Sequence, residues 1–370
     1  MTDFKEALKQ YALGVGLDLV GVCSSEPFDR YISELEKRKE YYTGRFRHRI
    51  ENWKRLADPG AVLAGARSVV VIGFYFFTGE YTAAGEERGR FGRIVSHGHI
   101  GVLKRARLMV KYLNKHGYKA VMGAHRKEAA VRAGLGTIGK HGLVINRKYG
   151  SWVAYQSIVT DAAMSQDKPD EKPFCDHCID CLDACPTGAL YEPYRLDPRR
   201  CATCLLTGAD IDEMYWEKIP NYIMGCDVCQ ESCPVNRDLE PKDGIESIFP
   251  KFLGNAPGLE RMLDLSESNF QSRILAYIYG KVTESRITGA FMRSKRLRAF
   301  YQKRLKAKEE GKERVPETFV YAAGNLLAYQ RNAIIAIGNS RNRRLAKKLY
   351  KLADHPVLGR YALWAIERTK

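Results

Sequence analysis

At 370 residues the chain has room for two or three domains, and its 45% hydrophobic and 28% charged content is that of a soluble globular protein. The longest apolar stretch, SVVVIGFYFF at 68–77, is too short to span a bilayer, and the N-terminus has early acidic residues and no apolar signal-type core; both point to the cytoplasm. With 60 Lys and Arg against 43 Asp and Glu, the net charge is +17, an excess that suits contact with a polyanion such as nucleic acid, or else a well-solvated basic surface.

Residues 4–14 read as a helix, followed by the strand-like LDLVGVCSS and a helical stretch through ISELEKRKEYYTGRF. DPGAVLAGA is a turn marked by proline and glycine, and the Val, Ile, Phe and Tyr of 68–77 make a buried strand. GVLKRARLMVKYLNKH carries an apolar stripe opposite basic residues, the pattern of an amphipathic helix. GLGTIGKHGLVIN is a glycine-rich loop running into a short strand, and GSWVAYQSIVTD is another strand. Strands alternating with helices over 1–165 give an α/β or α+β domain around a central sheet. A polar link, AMSQDKPDEKP, leads into a cysteine-rich region, and the chain beyond it is basic and helical. Between Lys281 and Arg314 stand 12 Lys or Arg and 4 Glu, either a polyanion-binding face or a solvated helix. The tail reads as helix, Gly-Asn turn, helix, His-Pro break and helix (NLLAYQRNAIIAIGNS, RNRRLAKKLYKLA, HPVLGRYALWAIERT), the rhythm of a stacked helical repeat.

Nine of the ten cysteines lie between Cys175 and Cys233, and only Cys23 stands apart. A disulfide framework would spread them through a short secreted chain, so this crowding points to metal. The first run, CDHCIDCLDACPTGAL, holds Cys175, Cys178, Cys181 and Cys185 at C-x2-C-x2-C-x3-C-P spacing. A second, GCDVCQESCPVN, holds Cys226, Cys229 and Cys233, and RRCATC between them holds Cys201 and Cys204. Structural zinc also uses paired C-x2-C sites. Three cysteines two residues apart, closed by Cys-Pro, are instead the spacing of two-cluster ferredoxins, where the fourth cysteine of a run ligates the other cluster. One [4Fe–4S] cluster is then expected on Cys175, Cys178, Cys181 and Cys233. The other takes Cys185, Cys226, Cys229 and either Cys201 or Cys204, between which spacing does not choose. The spare cysteine, like Cys23, is read as a small buried apolar residue. GLGTIG at 134–139 approaches a dinucleotide fingerprint but lacks its acidic partner; its glycines still suit close backbone approach to some other cofactor.

The run CDHCIDCLDACPTGALYEPYRLDPRRC followed by GCDVCQESCPVNR resembles the ferredoxin module of the epoxyqueuosine reductases, cobalamin-dependent enzymes related to the reductive dehalogenases. The resemblance extends through LDLVGVCSSEP, DPGAVLAGARSVVVIG, VRAGLGTIGKHGLVINRKYGSWV and RNAIIAIGNS, so it covers most of the chain. It implies an α+β multidomain protein: a nitroreductase-like α/β cobalamin domain at 1–165, a double [4Fe–4S] ferredoxin-like module at 166–250, and a basic helical region with a HEAT-like repeat tail at 251–370. It implies that electrons pass through both clusters to make cob(I)alamin, which reduces epoxyqueuosine in tRNA to queuosine. It selects Cys201 over Cys204. It makes the tRNA anticodon stem-loop and an external low-potential electron donor the expected partners of a monomer, with the wobble base drawn into a pocket.

Two pocket segments depart from the family. Where it carries a proton-donating Asp in a V-D-[ST]-A-P motif, ungapped matching places Ala120 of KAVMGAHRKEAAVRAGLG, and no carboxylate follows before Glu128. GRIVSHGHIG likewise lacks the family's R-G-R-D-Y-H. The reduction needs a proton source within hydrogen-bond reach. His125, on the replaced segment, is the candidate catalytic acid, with His97, His99, His141, Tyr149 and Tyr155 as others. The resemblance places Lys140 and Val144 on the cobalamin-lining segment and Arg55 near another, and His99 and Tyr155 complete the expected cofactor set. Two alternatives stand beside this reading. One is a divergent relative that keeps the electron wire but acts on another substrate or a corrinoid protein; the other is an electron-transfer protein with no bound corrinoid.

Overall fold

The computed structural model describes residues 4–43, 49–79, 81, 87–170, 172–208, 210–283 and 325–370. The chain forms two compact units: unit 1 is Met1–Gly79, Gly101–Cys201 and Asp227–Ile245, and unit 2 is Glu80–Ile100, Ala202–Cys226 and Glu246–Lys370. The cysteine region passes from unit 1 into unit 2 and back. Among the described residues no helix is long and apolar enough to cross a membrane.

In unit 1, helix α1 (Phe4–Gly14) leads into β1 (Leu19–Ser24), which pairs antiparallel with β2 (Ser68–Tyr75). β2 pairs in turn with β4 (Val153–Thr160), from Ser68↔Thr160 to Tyr75↔Val153, and β3 (Ala120–Met122) lies at the far edge. The sheet is wholly antiparallel, which settles the α+β alternative for this unit. Every residue of β2 is buried, because helices cover both faces. Helix α2 (His99–Lys115) crosses at Gly101, where a Cβ would stand 2.1 Å from the Phe74 ring. Helix α3 (Arg126–Arg132) ends over Gly21, where a Cβ would stand 2.8 Å from the Ala133 carbonyl. Gly21 is the partner of Val71, which alternates to the face opposite Phe74, so the two helices lie on opposite sides. Each Val or Ile buried in such a strand contributes about 1.5–3 kcal/mol.

Three details differ from the sequence reading. DPGAVLAGA contains a helical turn, Pro59–Val62, because Asp58 accepts the Gly60 N–H at 2.9 Å and proline opens the turn. The polar link is pinned to unit 1 rather than free: Asp167 accepts Lys5 and Lys9 at 2.9 Å each and the Val22 N–H at 2.8 Å. The Lys168 carbonyl also occupies the space where Gly134 would carry a Cβ. KAVMGAHRKEAAVRAG forms β3 and α3, elements of three and seven residues, too short to display a period.

In unit 2, helix α4 (Leu326–Ser340) packs against Leu259–Leu263 and against helix α5 (Gly359–Glu367). The expected Gly-Asn turn lies inside α4. Gly338 is there because Trp364 approaches to 2.5 Å of where its Cβ would be; the chain turns at Arg341, in the left-handed region at φ 52. RNRRLAKKLYKLA forms one α-turn, Arg343–Ala346, continuing as the 3-10 helix Lys347–Leu352. Arg331 and Asn332, both buried, tie α4 to the carbonyls that end the cysteine-bearing helix Ala202–Leu206: Asn332 donates to Leu206 at 2.9 Å, and Arg331 donates to Leu206 at 3.1 Å and Gly208 at 2.9 Å. The basic segment KRLRAFYQKRLKAK lies outside the described residues.

Candidate functional site

Two facing turns of unit 1 carry cysteines. The short helix Asp180–Asp183, carrying Cys181, packs against Val228–Glu231, carrying Cys229. Burial pushes the Cys181 thiol up to about 11, and the neighbouring thiols of Cys233, Cys175 and Cys178 push the same way. Cys233 is raised by burial, with Cys175 and Cys178 again acting on it. The structure therefore brings Cys175, Cys178, Cys181 and Cys233 together. Among the described residues no three His, Cys, Asp or Glu side chains converge as the ligands of a single ion would; the corners of a four-iron cube are bound at separate irons. Cys185, Cys201 and Cys229 also belong to unit 1, whereas Cys226 and Cys204 belong to unit 2. Cys23 lies in β1, buried, with its thiol raised to about 12 by burial, which makes it inert.

Behind the second turn lies a buried network that no motif announces. Gln230 Nε2 donates to the Ser151 carbonyl at 2.8 Å. Asn236 Nδ2 donates to Ser151 Oγ at 2.8 Å and to the Gln230 carbonyl at 2.7 Å, while Asn236 Oδ1 accepts the Ser151 N–H at 2.9 Å. Gly150, at φ +55, leaves room for the Asn236 side chain, whose oxygen stands 2.1 Å from the site of a Cβ. This fixes the chain after Cys229 and Cys233 to the turn before β4.

The glycine-rich segment faces the cysteines from the other side. At Gly136, φ is +148 and a Cβ would stand 2.2 Å from the Ile145 carbonyl, so only glycine permits the hairpin of Thr137–Ile138 with Val144–Ile145. Lys140 is buried: its amide donates to Cys175 Sγ at 3.4 Å, and its Nζ donates to the carbonyls of Asp176 at 2.5 Å and Cys178 at 2.9 Å. His141, 4% exposed, accepts the Leu143 N–H on Nδ1 at 3.1 Å, so the proton sits on Nε2. That Nε2 and Thr137 Oγ1 are buried without a partner among the described residues. Burial, together with Lys127, holds the His141 ring down to about 4.

Lys127, a residue the sequence reading passed over, connects the two sides. Its Nζ donates to the Gly142 carbonyl at 2.6 Å. Burial and Arg126 lower its pKa, while Cys229 and Cys201 act in the opposite sense. The side chain is accessible to solvent.

The remaining expected residues are spread more widely. His125 caps α3, its Nδ1 accepting the Glu128 N–H at 3.4 Å, and its ring stacks on Tyr31 at 3.6 Å between centroids. Burial, with Lys127 and Arg126, drives its pKa down to about 3, so the ring is neutral at pH 7. Ala120 lies in β3, paired with Thr160. Val144 is buried in the hairpin, and Tyr155 on β4 donates to the Leu135 carbonyl at 3.1 Å. Tyr149 packs on Tyr75 at 4.8 Å. Arg55 is exposed, bonded to Asn52 at 3.2 Å. His97 and His99 belong to unit 2; His97 meets Ser96 at 2.8 Å and is lowered to about 4 by burial and by Arg93.

Comparison with known proteins gives a consistent picture. Residues 174–236 match the family described as "4Fe-4S double cluster binding domain". The chain is 28% identical over 390 aligned residues to the epoxyqueuosine reductase of Lactococcus garvieae, covering all of the chain and 97% of that relative. It is 31% identical over 229 residues to the epoxyqueuosine reductase of a Synechocystis species, covering 58% of the chain and 78% of that relative. A crystal structure of epoxyqueuosine reductase with a tRNA-TYR epoxyqueuosine-modified tRNA stem loop superposes with TM-score 0.76 at 25% identity, over 99% of this chain and 90% of that one. The structure of the Streptococcus thermophilus epoxyqueuosine reductase gives TM-score 0.74 at 24% identity, a likeness of fold.

Proposed function

The chain belongs to the epoxyqueuosine reductase family and is an iron–sulfur oxidoreductase, and on that premise we propose that it reduces epoxyqueuosine in the tRNA anticodon stem-loop to queuosine. The observation that carries this is a double-cluster region whose Cys175–Cys178 loop is bonded, within unit 1, through Lys140 to a glycine-rich loop whose buried His141 Nε2 and Thr137 Oγ1 have no partner among the described residues. Such donors are left for the acceptor-rich rim of a bound cofactor, and the amide-fringed corrinoid of cobalamin fits them. Its expected neighbours are Lys140, Val144 and Tyr155 with His141 and Thr137, and Arg55 and His99 complete the proposed set. A cobalamin held there supplies the two-electron reductant for the carbon–oxygen bond. One cluster is assigned to Cys175, Cys178, Cys181 and Cys233, and the other to Cys185, Cys201, Cys226 and Cys229; together they supply electrons from an external donor. The finer architecture, a nitroreductase-like cobalamin domain at 1–165, a ferredoxin-like module at 166–250 and a HEAT-like tail, belongs to the same proposal.

Removing an epoxide oxygen as water consumes two electrons and two protons, so the chain's own task is to hold substrate and deliver protons. His125, expected as the acid, is neutral at pH 7 with its pKa lowered to about 3, so its Nε2–H serves as a hydrogen-bond donor to the substrate oxygen and not as the proton source. Glu128, raised by burial against the pull of Arg30, Arg132 and Lys127, retains its proton to higher pH than an ordinary carboxyl. Lys127 places a cation beside them to meet charge developing on the released oxygen. The net charge of +17 supports an RNA partner whose binding weakens steeply with salt.

One observation favours a second reading. Ala120 sits within a paired strand, so no side chain there does the work of the family's Asp, and a relative with another substrate or a corrinoid-protein partner follows naturally. Anaerobic reconstitution with iron, sulfide and cobalamin, followed by an epoxyqueuosine-bearing stem-loop, decides between them. About eight irons per chain, as two four-iron clusters require, with retained corrinoid and queuosine as product, carries the first reading. Retained corrinoid without turnover carries the second, and clusters without corrinoid leave an electron-transfer protein.

A further inference from the structure

Lys140 makes four bonds to the cysteine region, and each comes from a different direction. Its amide donates to Cys175 Sγ at 3.4 Å. Its carbonyl accepts the N–H of Tyr194 at 2.8 Å, where Tyr194 holds a left-handed φ of 67. Its ammonium takes the Asp176 carbonyl at 2.5 Å and the Cys178 carbonyl at 2.9 Å. The Asp176 carboxylate is turned outward to His177 at 3.4 Å on a fully accessible pair, so what holds Nζ is the backbone of the Cys175–Cys178 loop. A lysine is suited to this because its three donors radiate from one point. The side chain is 9% exposed, which keeps the charge from being screened by water.

We propose that Lys140 is the positioning residue of the four-iron cluster on Cys175, Cys178, Cys181 and Cys233, raising that cluster's reduction potential and fixing it against the glycine-rich loop. Reduction adds one negative charge to the cluster. A hydrogen bond to a ligand sulfur and a cation bonded to the ligand loop both stabilise the added charge, and these are established controls on cluster potential. Because residue 140 is itself part of the GLGTIGK segment, the same clamp sets the separation between cluster and loop. The inference rests on the cluster ligands proposed above but needs neither the corrinoid nor the tRNA substrate.

The test is a potentiometric titration of the cluster-loaded full chain followed by electron paramagnetic resonance, with iron content and thermal stability measured alongside. In Lys140→Met one of the two clusters should move to lower potential with altered g-values while the other stays, and Lys140→Arg should recover part of the shift. Lys148→Met, which removes an exposed charge from the same stretch of chain, should leave both midpoints in place. If Lys140→Met does not retain its iron, Lys140→Gln, which keeps a donor without the charge, is titrated instead and the same selective shift is expected. Unmoved midpoints and line shapes in a fully loaded Lys140 variant, or an equal shift in Lys148→Met, would overturn the proposal. A wild-type chain that binds no iron would overturn it together with the ligand assignment, so the two failures are told apart by the metal analysis.

Discussion

Two neighbouring parts of unit 1 treat their buried polar groups in opposite ways. Around Ser151, Gln230 and Asn236 the donors and acceptors are paired within the chain, at 2.7–2.9 Å for the central contacts. Along 125–142 the His141 Nε2 and Thr137 Oγ1 are buried and unbonded, and Lys127 and Arg126 carry pKa values lowered by burial. An unmade hydrogen bond on a buried group costs about 1–3 kcal/mol, so the first region is complete as folded, whereas the second keeps two buried polar atoms open among the described residues. On the proposed function, the first region would be a scaffold for clusters and the second would receive cofactor and substrate.

The harshest way to break the comparison is to remove a cluster ligand. Cys181→Ala should reduce iron from about eight to about four per chain and abolish reduction, while the glycine-rich loop keeps whatever corrinoid affinity it has. Equal loss of iron and corrinoid would mean that the two regions fold as one. Next in size is Gly136→Ala. A φ of +148 and an Ile145 carbonyl at 2.2 Å make alanine strained by about 1–3 kcal/mol. The shift falls on the loop bearing Thr137 and His141, so corrinoid affinity should drop by tenfold or more at near-normal iron content, measured by equilibrium binding and metal analysis.

The two regions were not equally visible in the sequence. A four-iron cube demands cysteines at spacings that a short chain segment must satisfy locally, so Cys175, Cys178 and Cys181 announce themselves. The Ser151–Asn236 pairing joins ordinary polar residues 85 positions apart, and no local pattern encodes a partner that far away. Lys127 was invisible for a related reason: a lysine in a charged helix turn reads as solvated until the fold shows Gly142 beside it. Gly338 shows the converse error, since a glycine kept for close helix packing against Trp364 looks like a glycine kept for a turn. The sheet's long strands, β2 and β4, were plain because eight residues each suffice to show burial, whereas β3 and α3 were too brief.

A smaller effect sharpens the contrast from the other side. Asn236→Ala leaves the Ser151 N–H without a partner and the Gln230 carbonyl with only the Cys233 N–H, and should cost about 1–3 kcal/mol in chemical denaturation. Cobalamin at a hundred times its dissociation constant should add about 2.7 kcal/mol to wild type, and the same increment should appear in Asn236→Ala. An increment that vanishes would show that the network supports the glycine-rich loop as well as the clusters.

The least perturbing probe is pH. His141 is held at about 4 against an ordinary 6.5. Below pH 6.5 the unfolded chain therefore takes up a proton that the native chain refuses. Stability from this group is complete above about 6.5, falls as pH drops toward 4, and then levels off. His97, at about 4, and His125, at about 3, act in the same direction. Each contributes a slope of at most about 1.4 kcal/mol per pH unit, and His141→Gln should remove one such share between pH 4 and 6.5. Bound cofactor weakens this dependence for His141 alone. An acceptor on Nε2 bonds more strongly to the charged ring than to the neutral one, so loading with cobalamin should raise this pKa and flatten the acid limb. Denaturation at pH 5 and pH 7, with and without cobalamin, measures the flattening. In His141→Gln loading should leave the slope as it was; if loading flattens both proteins alike, the unbonded Nε2 is not what the cofactor meets.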